Sequence, residues 1–294
     1  MKVSAIIPVY NGEPWLAEAI TSIKGQTRPV DELIVVDDAS TDNSAKIAGA
    51  LGAEVIHLAQ NSGAGAARNA GLHRAVGDVI AWLDADDMWA PNHIEVLLSL
   101  MERHPQATAA FAAVQRFGLR NELIKGYVPV GEPTNVFWYA VDDWVHTTIG
   151  SMTRRSALLS IGGFSTEQRY SVDYDLWLRL SRDNLFVATH TVTSFWRWHP
   201  KQQSQNFPAA LKAVYSFRHS FWRELKKKGD QDLAEQLRSR IGFLWKKDFL
   251  DALSKSDVKL CLALLQCLRF VHLSVVIMHC DSLRRCLAEA PARR

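Results

Sequence analysis

The chain lacks a long uncharged apolar run. Its most apolar stretch, Val258 to Met278, is broken by Lys259, Gln266, Arg269 and His272, and the longest uncharged piece, Phe270 to Cys280, falls well short of a spanning helix, which needs roughly 20 residues. No span is expected there. Lys259, Gln266 and Arg269 fall nearly on one side at helical spacing, which suits a helix packed on a core or lying in a membrane interface. Cysteine is scarce: Cys261, Cys267, Cys280 and Cys286 all lie near the end of the sequence, their spacings fit no zinc pattern, and reduced, partly buried thiols are expected. No G-x-x-x-x-G-K-[ST] occurs, which excludes a P-loop, and no G-x-G-x-x-G follows the first expected strand, which weakens a dinucleotide site. Met1-Lys2 runs straight into Val3–Val9, a strand-like segment too short for a signal-peptide core, so no secretory signal is expected. Internal repeats and low-complexity tracts are absent as well.

What is present is a globular composition, with 48% hydrophobic and 22% charged residues in 294, enough for one large α/β domain with an appendage. Charge is unevenly divided. Residues 201–294 carry 18 Lys/Arg against 9 Asp/Glu, and residues 1–200 carry 16 against 22. Acidic character suits metal binding, and basic character suits an anionic surface.

Strand and helix patterns alternate through the first hundred residues. Val3–Val9, Glu32–Asp37, Glu54–Leu58 and Val79–Leu83 read as strands; Glu13–Ile23, Gly65–Val76 and a segment from Pro91 to about Arg103 read as helices, with a shorter one ending at Leu51. Nearly continuous β-branched runs such as Leu33-Ile34-Val35-Val36 are typical of parallel sheets covered on both faces. The expected fold is α/β, an open and mostly parallel sheet with helices on both faces. Ala107–Phe117 and Phe186–Trp198 add strands, Met152–Ile161 and Asp173–Arg182 add helices, and residues 118–150 read as a loop-rich insertion that shapes a pocket. A first domain over 1–208, divided near 106/107, and a helical, basic extension over 209–294 are expected.

Ligands of open parallel sheets bind beyond the carboxyl ends of the strands. Those ends here are followed by Pro8-Val9-Tyr10-Asn11-Gly12-Glu13, Asp37-Asp38-Ala39-Ser40, Asn61-Ser62-Gly63 leading to Arg68-Asn69, and Asp84-Ala85-Asp86-Asp87. Carboxylates two residues apart can divide a divalent cation and a sugar or ribose between them, because hard cations take carboxylates together with substrate phosphates; an acidic turn before a helix is the plainer alternative. Asp37-Asp38 could accept the N3–H of a pyrimidine while Tyr10 flanks the ring, or could simply form a turn. Gly63, Gly65 and Arg68 could let backbone approach a pyrophosphate, or could open a helix packed closely on the sheet.

Taken together, Ile6-Ile7-Pro8-Val9-Tyr10-Asn11, Val35-Val36-Asp37-Asp38-Ala39-Ser40, Asn61-x-Gly63 with Ala67-Arg68-Asn69-x-Gly71, and Leu83-Asp84-Ala85-Asp86-Asp87 resemble family 2 glycosyltransferases of the GT-A fold over roughly residues 1–200. The resemblance implies inverting transfer from a nucleotide-diphospho-sugar to an acceptor hydroxyl, with Mg²⁺ or Mn²⁺. It implies that Pro8, Tyr10, Glu13, Asp38, Gly63, Arg68 and Asp84 border the nucleotide, and that Asp86 ligates the metal, with Asp84 and His199 as further candidates. The family's base opens a later helix, which here is Val172-Asp173-Tyr174-Asp175. Asp173 is the implied base and Asp175 the alternative; many members carry Glu-Asp where this chain has Val172-Asp173. Gly162-Gly163-Phe164 would line the acceptor side, and Trp196-Arg197-Trp198-His199 with Gln202 and Gln203 resembles the closing segment of the domain.

Neither a Gln-x-x-Arg-Trp signature nor several spans accompany these motifs, which favours single additions over polymerisation. The implied donor is a UDP-sugar or a dTDP-sugar, and the acceptor a glycan or lipid-linked glycan in cell-envelope or surface-polysaccharide assembly. Nucleic acid is not an expected partner. Lys226-Lys227-Lys228, Lys246-Lys247 and Arg284-Arg285 could dock on anionic lipid or face solvent. The expected location is cytoplasmic, peripheral at the inner face of the plasma membrane if those residues dock. The alternative is a non-catalytic nucleotide-sugar-binding or regulatory protein on the same fold.

Overall fold

The structure, a computed structural model, describes residues 1–124, 128–142, 147–200, 202 and 205–271. The chain divides into two compact units, Met1–Gln202 and Gln203–Arg294.

In the first unit, β1 (Val3–Val9), β2 (Glu32–Asp37), β3 (Glu54–His57) and β4 (Val79–Trp82) alternate with α1 (Leu16–Lys24), α2 (Ser44–Ala50) and α3 (Ala64–Arg74). There follow β5 (Met88–Trp89), α4 (His93–Arg103), β6 (Ala107–Gly118), β7 (Glu122–Ile124), α5 (Phe137–Asp142), β8 (Ser151–Arg154), α6 (Arg155–Ser160), α7 (Val172–Ser181) and β9 (Leu185–Trp198). The strands form one sheet in the order β3-β2-β1-β4-β8-β6-β9-β5, with β7 on β6. From β3 to β4 the pairing is parallel. β8 then runs against both β4 and β6, and β6 pairs parallel with β9. Two reversals restore direction, so β6 and β9 point the same way as β1 and β4. Their carboxyl ends share one edge of the sheet.

The apolar runs of β1, β2 and β4 are buried because helices cover them. Ile6, Ile34, Val35 and Trp82 are fully inaccessible. α3 lies directly on the strands: a Cβ at Gly71 would stand 2.5 Å from Ile6 Cγ2, so any larger residue would push the helix off the sheet. α4 presents Ile94, Leu97, Leu98 and Met101 to the interior at helical spacing.

The segment Met152–Ile161, expected as one helix, is split. Ser151–Arg154 is a strand and only Arg155–Ser160 is helical. Ser151, Met152 and Thr153 are fully buried between β4 and β6, and pairing with two neighbours outweighs the local helical pattern. The insertion at 118–150 contributes β7 and α5; Tyr127 and Trp144 lie outside the described residues.

The second unit packs three helices on one another: α8 (Phe207–Lys228), α9 (Gln231–Ser254) and α10 (Val258–Cys267). Asn206 caps α8 by accepting from Ala209 N–H, with Pro208 in the first turn. Gly229 ends it at φ 83°, a left-handed position that lets its N–H reach Lys226 C=O. Val214, Phe217, Phe221 and Leu225 of α8, Leu237, Ile241 and Leu244 of α9, and Leu260 and Leu264 of α10 are buried where the three helices meet. Two of the large interior side chains pair their polar atoms within the bundle. Tyr215 Oη donates to Asp248 (2.7 Å), and Trp245 Nε1 donates to Leu264 C=O (2.8 Å). Cys267 is a buried free thiol, pushed up to about 11 by burial, and Cys261 is half-buried and free; Cys280 and Cys286 lie outside the described residues. No helix among the described residues is long and apolar enough to cross a membrane.

Candidate active site

The shared carboxyl edge brings together loops far apart in sequence. The loops after β1 and β2 interlock: Asn11 N–H donates to Ser40 Oγ (2.9 Å), Thr41 N–H donates to Asn11 Oδ1 (2.8 Å), and Gly12 N–H donates to Ser44 Oγ (2.9 Å). Asn11 and Ala39 take φ of 51° and 61°, and Gly12 has no room for a side chain, since a Cβ would meet Val9 Cγ2 at 2.6 Å. Glu13 accepts from both the backbone and side-chain N–H of Asn43 (3.0 and 2.9 Å), which holds its carboxyl below the usual range. Tyr10 stands half out in solvent at 52% exposure, an open aromatic face beside Pro8.

Asp38 is buried and turned toward the loop before α3. Its two carboxylate oxygens accept from Ser62 N–H (2.7 Å) and Gly63 N–H (2.8 Å). Gly63 sits at φ 90°, a conformation that favours glycine. Asp37 accepts from Ser40 N–H and contacts His57 Nδ1 at 3.2 Å. The aspartate pair therefore fixes two loops around the space next to Tyr10.

Beyond β4, Asp84 accepts from buried Arg68 Nη2 at 2.5 Å. Asp86 meets His199 Nε2 at 2.9 Å, and the His199 ring packs on Trp15 at a 36° tilt with ring centroids 4.2 Å apart. Burial, followed by the charge of Asp84, raises the Asp86 carboxyl. Asp87 is buried, accepts from Arg197 N–H (2.8 Å), and is pushed well up by burial and by Asp86 and Asp84. Arg197 also donates from Nε to Asp86 C=O (2.8 Å) and pairs with Glu18. Its part in holding the acidic turn was not legible in the sequence: Arg197 is 110 residues from Asp87, and only the register of β9 brings it there.

On α7, Asp173 and Asp175 differ sharply. Asp175 is gripped by Arg179, whose Nε and Nη2 both donate to its Oδ2 (2.9 and 2.6 Å). The same guanidinium holds Ile161 C=O (2.7 Å) and Gly163 C=O (2.6 Å). Asp173 has no ion pair among the described residues. Burial pushes it up to about 6 against the opposing pull of Arg68, and the charge of Asp84 adds to the rise. Asp173, Arg68 and Asp84 thus share one electrostatic site, although nearly a hundred residues separate α7 from α3. The Gly162-Gly163-Phe164 turn makes this contact possible. Asn69 on α3 pairs with Phe164 through both backbone groups, 2.8 Å each, and Gly163 at φ 71° leaves the Asn69 amide its space.

Among the described residues, no three His, Cys, Asp or Glu side chains gather into a metal cage. Asp84 and Asp86, carboxylates two residues apart, are engaged by Arg68 and His199; a pair of this kind fits Mg²⁺ or Mn²⁺ only where substrate phosphates supply the rest of the shell.

Comparison with known proteins identifies the family and the fold. Residues 4–162, more than half of the chain, match the sequence profile described as glycosyl transferase family 2. The amylovoran biosynthesis glycosyltransferase AmsE of Erwinia amylovora is 31% identical over 185 residues, covering 60% of this chain and 68% of that protein. S. aureus TarS 1-349 in complex with UDP-GlcNAc superposes with a TM-score of 0.70 at 18% identity, over 94% of this chain and 83% of that one; its UDP complex aligns over 74% of this chain and 65% of that one. The mannosyltransferase PcManGT of Pyrobaculum calidifontis, in complex with GDP-Man and Mn²⁺, gives 0.60 at 16% identity, over 97% and 80%. These solved structures carry the GT-A fold, and the chain belongs to glycosyl transferase family 2.

Proposed function

We propose that the chain moves a sugar from a nucleotide-diphospho-sugar to an acceptor hydroxyl, with inversion at the anomeric carbon. One observation carries this reading. A carboxyl pushed up to about 6, Asp173, lies within the electrostatic reach of the Arg68–Asp84 pair. Catalytic bases are poised in this way, by burial and specific charges near the working pH.

In this reading residues 1–106 hold the donor and residues 107–208 the acceptor. Pro8, Tyr10 and Glu13 border the nucleoside, with Tyr10 against the base. Asp38 supports that border through Ser62 and Gly63 rather than with a free oxygen. Asp173 takes the proton of the acceptor hydroxyl as that oxygen bonds to the anomeric carbon. The bond from that carbon to the diphosphate breaks, and its electron pair leaves with the diphosphate. Asp175 is occupied by Arg179 and keeps the helix on the Gly162-Gly163 turn. Asp86, with Asp84 and His199, would hold Mg²⁺ or Mn²⁺, which would offset the charge developing on the leaving diphosphate. A UDP- or dTDP-sugar is the favoured donor.

The amylovoran role in the name of AmsE supports a place in surface-polysaccharide or envelope assembly. On α10, Val258, Leu262 and Leu265 are exposed at helical spacing beside Lys259 and Arg269, which supports peripheral docking on an anionic cytoplasmic membrane face. Arg284-Arg285 lies outside the described residues.

Calorimetry with UDP, dTDP, GDP and ADP, with and without Mn²⁺, tests the donor half on wild type and Asp86→Ala. One pyrimidine diphosphate is expected to bind in a metal-dependent way, and Asp86→Ala to abolish that dependence. Failure of every nucleotide to bind a folded sample would overturn the reading in favour of a non-catalytic role.

A further inference from the structure

The carboxyl ends of β6 and β9 carry a second cluster that the donor site does not use. Arg116 pairs in register with Trp196, and Gly118 with Trp198. Side chains alternate along a strand, so Trp196 and Trp198 turn to the face opposite Arg197. There the Arg116 guanidinium lies over both indoles, 4.6 Å from the Trp196 centroid and 4.5 Å from that of Trp198. Arg120 returns over Trp198 as well, at 4.8 Å. Gly118 makes the return possible: it takes φ 93°, and a Cβ there would stand 2.9 Å from Trp198 C=O.

Two guanidiniums thus share one aromatic ring. The only carboxylate bonded to either, among the described residues, is Glu122, which pairs with Arg116 across the β6–β7 hairpin. Arg120 is exposed and has no acidic partner among the described residues. Burial, and then the charge of Arg120, push the Arg116 guanidinium down, so the cluster carries one uncompensated positive charge at an electrostatic cost. Stacking on indole holds a guanidinium flat while leaving its N–H edge free to grip an oxyanion.

The position of the cluster limits what it can serve. It lies on the same sheet edge as Asp84 and Asp86, on the side away from Tyr10. The next residue after Trp198 is His199, which bonds Asp86. A planar carboxylate is filled by one guanidinium fork, whereas a phosphate offers three terminal oxygens and close to two charges, enough for the free fork of Arg120 together with the part of the Arg116 guanidinium that Glu122 does not hold. The partly exposed indole edges add apolar surface for the C–H face of a sugar ring.

We propose that Arg116 and Arg120, laid on Trp196 and Trp198, form an acceptor subsite that binds the phosphate of a phosphorylated saccharide. Its use as an acceptor site rests on the transferase reading above; the binding of phosphate does not.

The test is calorimetry at low salt with glucose 1-phosphate, glucose and glucuronate, on wild type, Arg120→Gln and Asp86→Ala. Nucleotide binding is measured on the same samples. Arg120 is exposed, so its variant should fold, and circular dichroism checks that it does. Glucose 1-phosphate should bind wild type saturably, about tenfold more weakly to Arg120→Gln from loss of a charge-assisted contact, and unchanged to Asp86→Ala. Glucose should not bind, and glucuronate should bind more weakly than the phosphate. Absence of binding to wild type, or binding that Arg120→Gln leaves unchanged, would overturn the subsite. Glucuronate binding as tightly would overturn its assignment to phosphate. If nucleotides bind while glucose 1-phosphate fails, the subsite falls alone; if glucose 1-phosphate behaves as expected while no nucleotide binds, only the transferase reading falls.

Discussion

Two acidic regions face the same edge of the sheet and are held in opposite ways. Around the loops after β1 and β2, the carboxylates are filled by N–H and O–H donors. Glu13 is lowered by Asn43; burial would raise Asp42, but the Ser44 hydroxyl and N–H and the Glu13 N–H hold it below its ordinary range. Beyond β4 and on α7 the trend reverses. Burial raises Asp86, Asp87 and Asp173, and neighbouring carboxylates push them further. The first region uses acids as braces. The second buries carboxyls where their charge is unfavourable, a pattern enriched at functional sites, which supports the chemistry proposed for it. The same residue type thus separates into two settings by its partners, not by its place in a motif.

The strongest way to break this comparison is within α7. Asp173→Asn should lower kcat by roughly 10²–10⁴, the range for loss of a general base, while calorimetry shows nucleotide affinity within about twofold of wild type. A parallel loss of nucleotide affinity would make Asp173 a brace after all. The wild-type kcat/KM should also fall on the acid side with a limb near 6, because the base acts only when deprotonated and burial has raised it to about 6. A limb near 4 would place the burden on another group. Two residues along, Asp175→Ala should act on stability instead. It strips Arg179 of its carboxylate in a largely buried setting, which costs roughly 3 kcal/mol and should appear as a lower denaturant midpoint.

The first region offers the matching test. Asp38→Ala would leave Ser62 and Gly63 N–H without their acceptors, at a cost of roughly 2–3 kcal/mol. Thermal unfolding should shift down by roughly 5–10 °C in a domain of this size, and nucleotide binding should weaken as the loop loosens. An unshifted midpoint with lost binding would instead give Asp38 a direct contact with the base.

Most of the strand–helix alternation of residues 1–106 was legible because β-branched runs and apolar helix faces recur there; Met88–Trp89 was not, because it becomes a strand only by pairing with β9. The split of Met152–Ile161 was not, because Ser151–Arg154 becomes a strand only through β4 and β6, its distant neighbours. The acidic motifs themselves could be read from residue spacing and resemblance. What each carboxylate does could not. Asp38 meets partners 24 and 25 residues away, and Asp87 meets Arg197; both depend on loop geometry and strand register. Asp173 and Asp175 both look like helix-opening acids, and only the position of Arg179 against the Ile161–Gly163 turn separates them.

The smallest expected effect sharpens the comparison most directly, since it concerns the energy of the fold rather than the reaction. The folded Asp173 carboxyl is raised to about 6, whereas an unfolded aspartate titrates near ~3.9. Between these values the folded chain holds the proton more tightly, so this group's contribution to stability falls as pH rises and is fully unfavourable above about 6. Asparagine carries no charge to desolvate. In metal-free buffer, Asp173→Asn should therefore unfold a few degrees above wild type near pH 7.5, and the gap should close as pH drops toward 4. A variant less stable than wild type at pH 7.5 would mean that Asp173 is held by favourable partners, as the aspartates beside Tyr10 are, and the distinction between the two acidic regions would dissolve at the residue on which the proposed chemistry depends.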